Sequence, residues 1–471
     1  MNVVIVGTGY VGLTTGVALA YLGHKVTCLD VIEEKIEMLK DGKSPIYEHG
    51  LEEMMALASP NLRFTSSYED AGIDQANVIF ISVGTPQLPD GNPNLAYVQQ
   101  AAESIGRHLG DTFTVIVNKS TVPIGSGNWV GSLVRDAIFQ TNGRSGEGQF
   151  AVGSNPEFLR EGSALHDTLY PDRIVIGAED QRAIVTLTHL YRPILNQDFP
   201  APDFLPRPEG LSAVPMVTTD LASAELIKYA ANAFLALKIS YINEIAQLAE
   251  KVGADITQIA RGIGLDTRIG SRFLNAGIGW GGSCFGKDTA ALIRTAEEYR
   301  LTLPIVHAAR EVNYQQRVWV VEKLLDELKI LKGRTIALLG LAFKPNTDDL
   351  RDAPALDIAR HLMKRGAKVK AHDPIALENA RKYFGDLGVH YYDSIFEAVQ
   401  DADAVVLVTE WTDYRKIDWE AIKPLMKTPL VLDGRNFLPR QTLEQIGFHY
   451  VGVGIGGVRA AYLPNGVAQT I

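Results

Sequence analysis

Short apolar runs alternate with amphipathic helical stretches along the N-terminal part of the chain. Each apolar run has the length of a buried strand, and the stretches between them have the 3.6-residue period of helices. Strands that alternate with helices in this way are typical of a parallel sheet built from βαβ units. The predicted strands are 2–6, 25–29, 77–83, 113–118, 150–153 and 173–177.

The centre of the chain has a different pattern. A Pro-rich segment, 199–215, interrupts the alternation and is predicted to be a surface loop or linker. Ala-rich helical sequence follows over 221–251, with Gly253 as a stop, and a second long helix is predicted over 304–331. Two long central helices often form a spine and a dimer contact, although a small helical domain without a partner would show the same pattern.

Strand patterns return after Gly333, where runs at 335–340, 367–373, 402–408 and 429–433 echo the N-terminal series. We therefore predict an α/β protein with two Rossmann-like doubly wound domains joined by a central helical domain. The expected domains are an N-terminal one at 1–215, a central one at 216–330 and a C-terminal one at 331–471.

Composition narrows the possible partners. Apolar residues make up 46% of the 471 residues and the net charge is -10, without long Lys/Arg blocks, so nucleic-acid binding is not expected. The absence of a long apolar run argues against a membrane span, and the N-terminus does not resemble a secretion signal. Two cysteines cannot build a disulfide framework, and Cys28 is predicted to be a buried strand residue. We expect a cytoplasmic protein.

A Gly-x-Gly-x-x-Gly motif at Gly7–Gly12 follows the first predicted strand and opens a helix. In this context the glycines permit a tight turn, a close approach to a pyrophosphate and helix–strand packing. Asp30 ends the next strand, where a carboxylate binds the adenosine ribose and repels a 2′-phosphate. The motif therefore predicts NAD rather than NADP, although Lys35 could accommodate some extra charge.

The run Gly-Gly-Ser-Cys-Phe-Gly-Lys-Asp at 281–288 places the second cysteine in a glycine-rich turn. Ser283 is a suitable N-cap for a helix that continues beyond Lys287. Cys284 and Asp288 are four residues apart and would share a face of that helix. Thiolates form near cations or helix N-termini, so Cys284 is a candidate nucleophile, with a buried inert cysteine as the alternative.

Two further pairs are spaced by four residues. Lys228 and Asn232 lie on the predicted central helix, as an oxyanion-stabilising pair or as an ordinary polar edge. The stretch 155–162 reads as an N-capped helical turn, with Asn155 as the cap. Glu157 and Glu161 in that turn are candidates for general acid–base catalysis, or simply favourable charges at a helix N-terminus.

Together these segments resemble the UDP-glucose 6-dehydrogenase family, from the Gly7–Gly12 loop through 155–162, 228–232 and 281–288 to 340–344 and 433–436. The resemblance implies oxidation of UDP-glucose to UDP-glucuronate with two NAD⁺ and one water. Cys284 would add to an aldehyde to form a thiohemiacetal, which is oxidised to a thioester and hydrolysed.

The resemblance also assigns roles to individual residues. Catalytic roles fall on Cys284, Glu157 with Thr121 and a water, Lys228 and Asn232 at the oxyanion, and Asp288 in water activation. NAD is expected against Gly7, Thr8, Gly9, Tyr10, Val11, Gly12, Asp30, Lys35, Ser82, Val83, Gly84, Thr85, Pro86, Ser120, Thr121, Glu161, Cys284, Phe285, Gly286, Lys287 and Arg351. The sugar nucleotide is expected against Glu157, Phe158, Leu159, Arg160, Glu161, Lys228, Asn232, Asn275, Gly281, Phe343, Lys344 and Arg435, with Arg268 from a neighbouring subunit. No metal is expected, and the implied assembly is a homodimer or higher homo-oligomer through the central helices.

Two departures from the family pattern are visible: Gly286 stands where many relatives have proline, and the segment 199–215 is longer than the usual connection. Three alternatives remain open at this point. A sister dehydrogenase acting on GDP-mannose or a UDP-N-acetylhexosamine would share the cofactor and thiol chemistry. A two-electron hydroxyacid dehydrogenase would need neither Cys284 nor the C-terminal strands, and a non-catalytic NAD sensor would not need Cys284, Lys228 and Asp288 together.

Overall fold

The computed structural model describes residues 1–88 and 91–456. These residues divide into two compact units. The first comprises Met1–Asn232 and Lys287–Thr302, and the second comprises Ala233–Gly286 and the chain from Leu303 onward. The three-domain division remains a prediction, and the end of its last domain lies outside the described residues.

The first unit is an α/β unit, and its elements follow one another in nearly regular alternation. Its strands are β1 (Asn2–Val6), β2 (Lys25–Leu29), β3 (Leu62–Thr65), β4 (Val78–Ile81), β5 (Thr114–Asn118), β6 (Phe150–Ser154), β7 (Ile174–Ala178) and β8 (Met216–Thr219). Its helices are α1 (Tyr10–Tyr21), α2 (Glu33–Lys40), α3 (Leu51–Ala58), α4 (Ala96–His108), α5 (Ser126–Asn142), α6 (Ala164–Leu169) and α7 (Gln181–Asn196), followed by α8 (Leu221–Val252), which continues into the second unit.

Within the described residues, the strands of this unit form one sheet in the order β3-β2-β1-β4-β5-β6-β7-β8. The first six strands have the 3-2-1-4-5-6 order of dinucleotide-binding folds. The expectation of a fully parallel sheet was wrong at one position, because β6 and β7 pair antiparallel. A parallel neighbour requires a crossover of about a dozen residues or more. The connection from β6 to β7, residues 155–173, is long enough for one, but the helix it carries is the six-residue α6 and the chain returns antiparallel.

The second unit repeats this architecture after a helical section. Its helices are the remainder of α8, α9 (Ile256–Gly264), the start of α10 (Phe285–Glu298), α11 (Pro304–Leu328), α12 (Pro354–Lys364), α13 (Leu377–Phe384), α14 (Ile395–Val399), α15 (Thr412–Arg415), α16 (Trp419–Ile422) and α17 (Arg440–Gln445). From Lys287 onward, α10 belongs to the first unit. Its strands are β9 (Thr335–Leu339), β10 (Lys368–His372), β11 (His390–Tyr391), β12 (Ala404–Leu407), β13 (Leu430–Asp433) and β14 (His449–Gly452). Over the described residues these strands form a parallel sheet in the order β11-β10-β9-β12-β13-β14.

The echo between the two sheets extends to the turn after the first strand. The amide of Gly7 donates to the carbonyl of Leu29, and the amide of Gly340 donates to that of His372. The equivalents of Asp30 differ in their surroundings, because Asp373 is fully buried and accepts hydrogen bonds from backbone amides after β9 and β10 and from an indole. The second turn therefore has the fold of the first, but the oxygens of its carboxylate already accept hydrogen bonds from groups within the protein.

The two long central helices are confirmed, with α8 ending at Val252 directly before Gly253 and α11 ending at Leu328. The Pro-rich segment 199–215 is irregular, as predicted, but it is not a detached linker. Phe199 and Leu205 are buried in the core of the first unit, and the hydroxyl of Tyr170 donates to the carbonyl of Leu205 at 3.0 Å. Apolar anchors of this kind hold an irregular segment against the sheet because burying them stabilises the fold.

Candidate active site

The loop after β1 has the geometry of a dinucleotide site. Gly7 has φ +100°, and a Cβ atom there would lie 2.7 Å from the carbonyl oxygen of Ser82. A Cβ atom on Gly12 would overlap the carbonyl oxygen of Gly7, whereas one on Gly9 would meet nothing within 4 Å. Gly9 is the N-cap of α1 and brings no side chain to the first amides of the helix. The loop therefore leaves a helix N-terminus open to a phosphate group.

Asp30 lies directly after β2 and is held beside this loop. Its Oδ2 atom accepts from the amide of Thr8 at 2.9 Å and from the Thr8 hydroxyl at 2.7 Å, and its Oδ1 accepts from the amide of Ile32 at 3.1 Å. Burial opposes ionisation, but these bonds and Lys35, 3.6 Å away, outweigh it and hold the pKa of Asp30 below its usual value. The carboxylate is ionised, which suits a ribose and disfavours a 2′-phosphate.

The loops after β4 and β5 contact each other. The hydroxyl of Thr85 donates to the carbonyl of Thr121 at 3.0 Å, and the hydroxyl of Ser120 donates to that of Val83 at 2.6 Å. Both loops leave adjacent parallel strands at the same edge of the sheet. The structure thus brings together predicted cofactor residues that lie more than thirty positions apart in the sequence.

The segment after β6 differs from its prediction. Residues 155–160 form no helical turn, and α6 begins only at Ala164. Asn155 does not cap a helix, because its side chain is buried and accepts from Lys119 Nζ at 2.9 Å and from the hydroxyl of Tyr191 at 2.6 Å. The local sequence pattern could not reveal these long-range partners of the Asn155 side chain. Because no helical turn forms here, Glu157 and Glu161 do not share a helix face.

Glu157 and Lys228 form a buried ion pair. Lys228 Nζ lies 2.7 Å from Glu157 Oε1, while Glu157 Oε2 accepts from the amide of Leu159 at 2.6 Å. Burial raises the pKa of Glu157, but the charge of Lys228 and the hydrogen bonds from Lys228 and the Leu159 amide outweigh this effect. The pKa of Glu157 therefore lies below its usual value. The ring of Phe158 lies beside this pair, with the Arg173 guanidinium 3.5 Å and Lys228 Nζ 5.4 Å from its centroid.

Asn232 lies one turn further along α8 and has a different carboxylate partner. Its amide nitrogen donates to Asp288 Oδ2 at 2.6 Å, and Lys287 Nζ lies 2.7 Å from Asp288 Oδ1. Asp288 is almost fully buried in the first turn of α10. Each oxygen of the Asp288 carboxylate accepts a hydrogen bond, so the carboxylate orients the side chains of Asn232 and Lys287. A role of Asp288 in water activation remains a prediction.

Arg160 is held close to its own segment. Its amide and its Nε both donate to Asp167 Oδ2 at 2.9 Å, and its guanidinium remains largely exposed. Glu161 and Gly162 form the turn that follows, and the amide of Gly162 donates to the buried carboxylate of Glu48 at 2.9 Å. The segment 155–162 is therefore anchored at its end by two carboxylates, those of Asp167 and Glu48, which the motifs did not reveal.

In the second unit, Cys284 is half-buried and directly precedes the first residue of α10. The helix begins at Phe285, so Cys284 rather than Ser283 stands at the position before it. The sulfur lies 3.6 Å from the hydroxyl oxygen of Ser283. A Cβ atom on Gly282, which has φ +88°, would lie 2.6 Å from the ring of Phe343, so two predicted site elements pack together here.

One face of α11 clamps this turn. Asn313 Oδ1 accepts from the amide of Trp280 at 2.7 Å, and Arg310 Nη1 donates to the carbonyl of Gly286 at 2.6 Å. The buried guanidinium of Arg317 donates to the carbonyl of Trp280 at 3.0 Å and to Asp352 Oδ1 at 2.7 Å. The turn that carries Cys284 is thus held at both ends.

The other residues of the second unit that were predicted to bind NAD or the sugar nucleotide divide into two groups. Arg435 Nη1 donates to the carbonyl of Gly279 at 3.0 Å, and the amide of Gly282 donates to the carbonyl of Arg351, so Arg435 and Arg351 adjoin the cysteine turn. Lys344 lies over the Phe343 ring at 5.5 Å from its centroid. By contrast, Asn275 and Arg268 are exposed, and the guanidinium of Arg268 pairs with Asp266 of its own loop.

Comparisons with known proteins identify the family. Its NAD binding domain matches residues 1–195, its central domain residues 222–315 and its UDP binding domain residues 337–440. The UDP-glucose 6-dehydrogenase YwqF of Bacillus subtilis is 45% identical over 471 residues, which cover 100% of both chains. The chain belongs to the UDP-glucose/GDP-mannose dehydrogenase family.

Solved structures of this family share the fold. A UDP-glucose dehydrogenase from the hyperthermophilic archaeon Pyrobaculum islandicum is 39% identical, with a TM-score of 0.85, and the match covers 97% of this chain and 98% of that one. A UDP-D-ManNAc dehydrogenase from Pyrococcus horikoshii is 26% identical with a TM-score of 0.82, covering 97% and 100%. Enzymes of this family with different sugar names therefore share one architecture.

Four residues that contact the predicted site segments had no assigned role in the sequence analysis: Lys119, Arg310, Asn313 and Arg317. Lys119 was visible only as a polar residue at a strand end. The other three occur at spacings of three and four in the predicted second long helix, which places them on one face. That polar stripe was the available signal, but its target could not be known before the turn at 279–286 was folded against it.

Proposed function

We propose that this chain is a UDP-glucose 6-dehydrogenase, which oxidises UDP-glucose to UDP-glucuronate with two NAD⁺ and one water. The observation that carries the proposal is the half-buried thiol of Cys284 at the start of α10, in a chain with full-length similarity to UDP-glucose 6-dehydrogenases. A thiol suits a four-electron alcohol oxidation, because an aldehyde cannot release a second hydride until a nucleophile has added to it.

The residues of the first unit fit NAD. The open backbone at Gly9, the start of α1 and the ionised Asp30 would hold its pyrophosphate and ribose, with the tied loops at 83–86 and 120–121 completing the site. When bound, NAD⁺ supplies a hydride acceptor. We assign Lys287, Glu161 and Arg351 to the same cofactor on the basis of the family motifs.

The oxidation then proceeds through an aldehyde, a thiohemiacetal and a thioester. The C6 alcohol loses one hydride and one proton and becomes an aldehyde. The thiolate of Cys284 adds to the aldehyde carbon, and the resulting thiohemiacetal loses a second hydride and proton to become a thioester. Water then cleaves the carbon–sulfur bond, which releases the carboxylate and returns the thiol.

The charged pair in the first unit suits the proton and oxyanion roles. Glu157 is ionised in the resting pair, so it can accept a proton directly or through a water held with Thr121. The ammonium of Lys228 and the amide of Asn232 are donors that can stabilise an oxyanion. Lys344, Arg435 and the partner-supplied Arg268 are assigned to the sugar nucleotide, whose diphosphate needs cations.

We further propose a homodimer through the central helices, in a cytoplasmic enzyme. The part of α8 in the second unit exposes Phe234, Tyr241 and Leu248 at 61%, 50% and 59%, and their spacing of seven places them on one face. Large apolar side chains exposed in line on one helix face favour contact with a second helix. The paucity of cysteines suits a reducing compartment.

The test is the number of NADH molecules formed per UDP-glucose consumed, with GDP-mannose and UDP-N-acetylmannosamine assayed in parallel. Two NADH with UDP-glucose alone supports the proposal. Two NADH with another sugar nucleotide only would keep the chemistry and assign a sister enzyme, which is favoured as second candidate by the shared architecture of the UDP-D-ManNAc dehydrogenase. One NADH would indicate a simple dehydrogenase, and none would indicate a sensor.

Cys284→Ser should abolish net turnover while NAD binding, measured by calorimetry, persists. Cys28→Ala is the matched control, because Cys28 is fully buried in β2 and burial raises the pKa of its thiol to about 12. Normal steady-state acid formation by Cys284→Ser would contradict the thioester route.

A further inference from the structure

Lys119 is a buried cation to which the motifs give no role. It directly follows β5 and its ammonium group donates to Asn155 Oδ1 at 2.9 Å, with the ring of Phe80 at 5.8 Å. Burial lowers the pKa of Lys119 to about 8, Glu157 opposes this and Lys228 adds to it. The amine is therefore mostly protonated at neutral pH, although the acceptor it contacts is a neutral amide.

The amide that receives this ammonium group leads into the substrate segment. Asn155 is buried, its Oδ1 also accepts from the hydroxyl of Tyr191 at 2.6 Å, and its Nδ2 donates to the carbonyl of Val175 at 2.8 Å. Glu157 follows two residues later. Lys119 thus helps to fix the backbone from which the Glu157 carboxylate extends.

The charges around Glu157 do not balance in the resting protein. Lys228 already pairs with Glu157 at 2.7 Å, so Lys119 adds a further buried positive charge. Arg173, directly before β7, stacks on the ring of Phe158 and interacts with Glu157 and with its own sequence neighbour Asp172. Burying a cation without a matching anion is costly, and proteins retain such charges mainly where an anion arrives or forms.

We propose that Lys119 is a positioning residue for Glu157 and Lys228: held on Asn155, its ammonium group keeps Glu157 ionised when Lys228 leaves the pair to contact the oxyanion of the reacting sugar. The proposal rests on the proposed function and deepens it. Lys119 exchanges no proton with the substrate. It supplies a fixed positive potential in a site where low polarity strengthens electrostatic interactions.

The consequence is a shift in the pH dependence. Removing a nearby cation makes ionisation of a carboxylate harder, so the pKa of Glu157 rises. In Lys119→Met, the acidic limb of the kcat/KM profile should move to higher pH by about one unit. Lys119→Arg keeps the charge and should leave the limb near its wild-type position.

Tyr191→Phe is the matched control, because it removes the other hydrogen bond to Asn155 Oδ1 without changing any charge. A purely structural role for Lys119 predicts that the methionine and phenylalanine variants lose activity without moving the limb, or move it equally. Either result overturns the proposal. A shift in Lys119→Met alone, reversed in Lys119→Arg, supports it.

If Lys119→Met does not fold, Lys119→Gln replaces it, because glutamine removes the positive charge and can still donate a hydrogen bond to Asn155 Oδ1. The same upward shift is expected, and an unmoved limb overturns the proposal. All variants are assayed on whichever sugar nucleotide the wild-type enzyme oxidises. Failure of the proposed function would therefore appear in the wild-type substrate panel, and failure of the Lys119 proposal only in the variant profiles.

Discussion

Replacing Gly282 by alanine should damage the cysteine turn in a way that can be traced to one contact. Gly282 has φ +88°, a backbone conformation that costs an L-residue about 1–2 kcal/mol. The new Cβ atom would also lie 2.6 Å, 2.8 Å and 2.9 Å from three atoms of the Phe343 ring. Real contacts of this kind begin near 3.4 Å, so either the ring or the turn must move by several tenths of an ångström.

The magnitude follows from comparison with Gly333, which has φ +79° and no atom within 4 Å of the corresponding Cβ position. Gly333→Ala should lose only the backbone term, about 1–2 kcal/mol. Gly282→Ala should lose about 1–3 kcal/mol more, the usual cost of overpacking. In a background of Phe343→Ala this extra loss should disappear, which makes the pair a double-mutant cycle.

Thermal unfolding of Gly282→Ala, Gly333→Ala, Phe343→Ala and the double variant Gly282→Ala/Phe343→Ala measures how much stability each loses relative to the wild type. The rate of Cys284 alkylation by iodoacetamide measures the effect on the cysteine turn itself. Gly282→Ala should alter the alkylation rate because it lies two residues before the thiol, and Gly333→Ala should not. The reasoning is refuted if both glycine variants lose the same stability, or if Phe343→Ala leaves the extra loss unchanged.

Three further predictions concern ionised groups of the first unit. Asp30→Ala should lower the ratio of kcat/KM with NAD to that with NADP by about tenfold or more, equivalent to at least 1.4 kcal/mol; an unchanged ratio means that another residue reads the ribose. The carboxylate of Glu225 accepts from the amides of Gly125 and Gly127 at the start of α5, and burial raises its pKa to about 7. Its folded pKa thus exceeds the unfolded one, so wild-type stability relative to Glu225→Gln should fall by about 3 kcal/mol as pH rises from 4.5 to 7; a pH-independent difference in unfolding free energy would contradict the assignment. Lys228→Met should reduce kcat by about 10²-fold or more and leave Glu157 buried without its close partner, so its stability deficit should shrink at low pH, where Glu157 is protonated; an equal deficit at pH 5 and pH 8 would count against the ion pair.

Much of the fold could be predicted because its signals are local. The strand pattern, the lengths of α8 and α11 and the glycine loop before α1 all depend on residues that are neighbours in the sequence, where periodicity and backbone conformation act. The helical turn predicted at 155–162 was wrong because that prediction also considered only residues that are neighbours in the sequence. Asn155, the residue predicted to cap it, is bonded instead to Lys119, directly after β5, and to Tyr191 of α7, both far away in the chain.

The sequence by itself determined the dinucleotide loop, the central helices and the family, because each is encoded by residues at close or fixed spacing. Only the tertiary structure decided how the charges are paired. Lys228 meets Glu157 across 71 positions and Asn232 meets Asp288 across 56. It also decided the reversal at β7 and the clamp of α11 on the cysteine turn. Such contacts depend on how helices and strands pack, and burial then fixes which charges remain ionised.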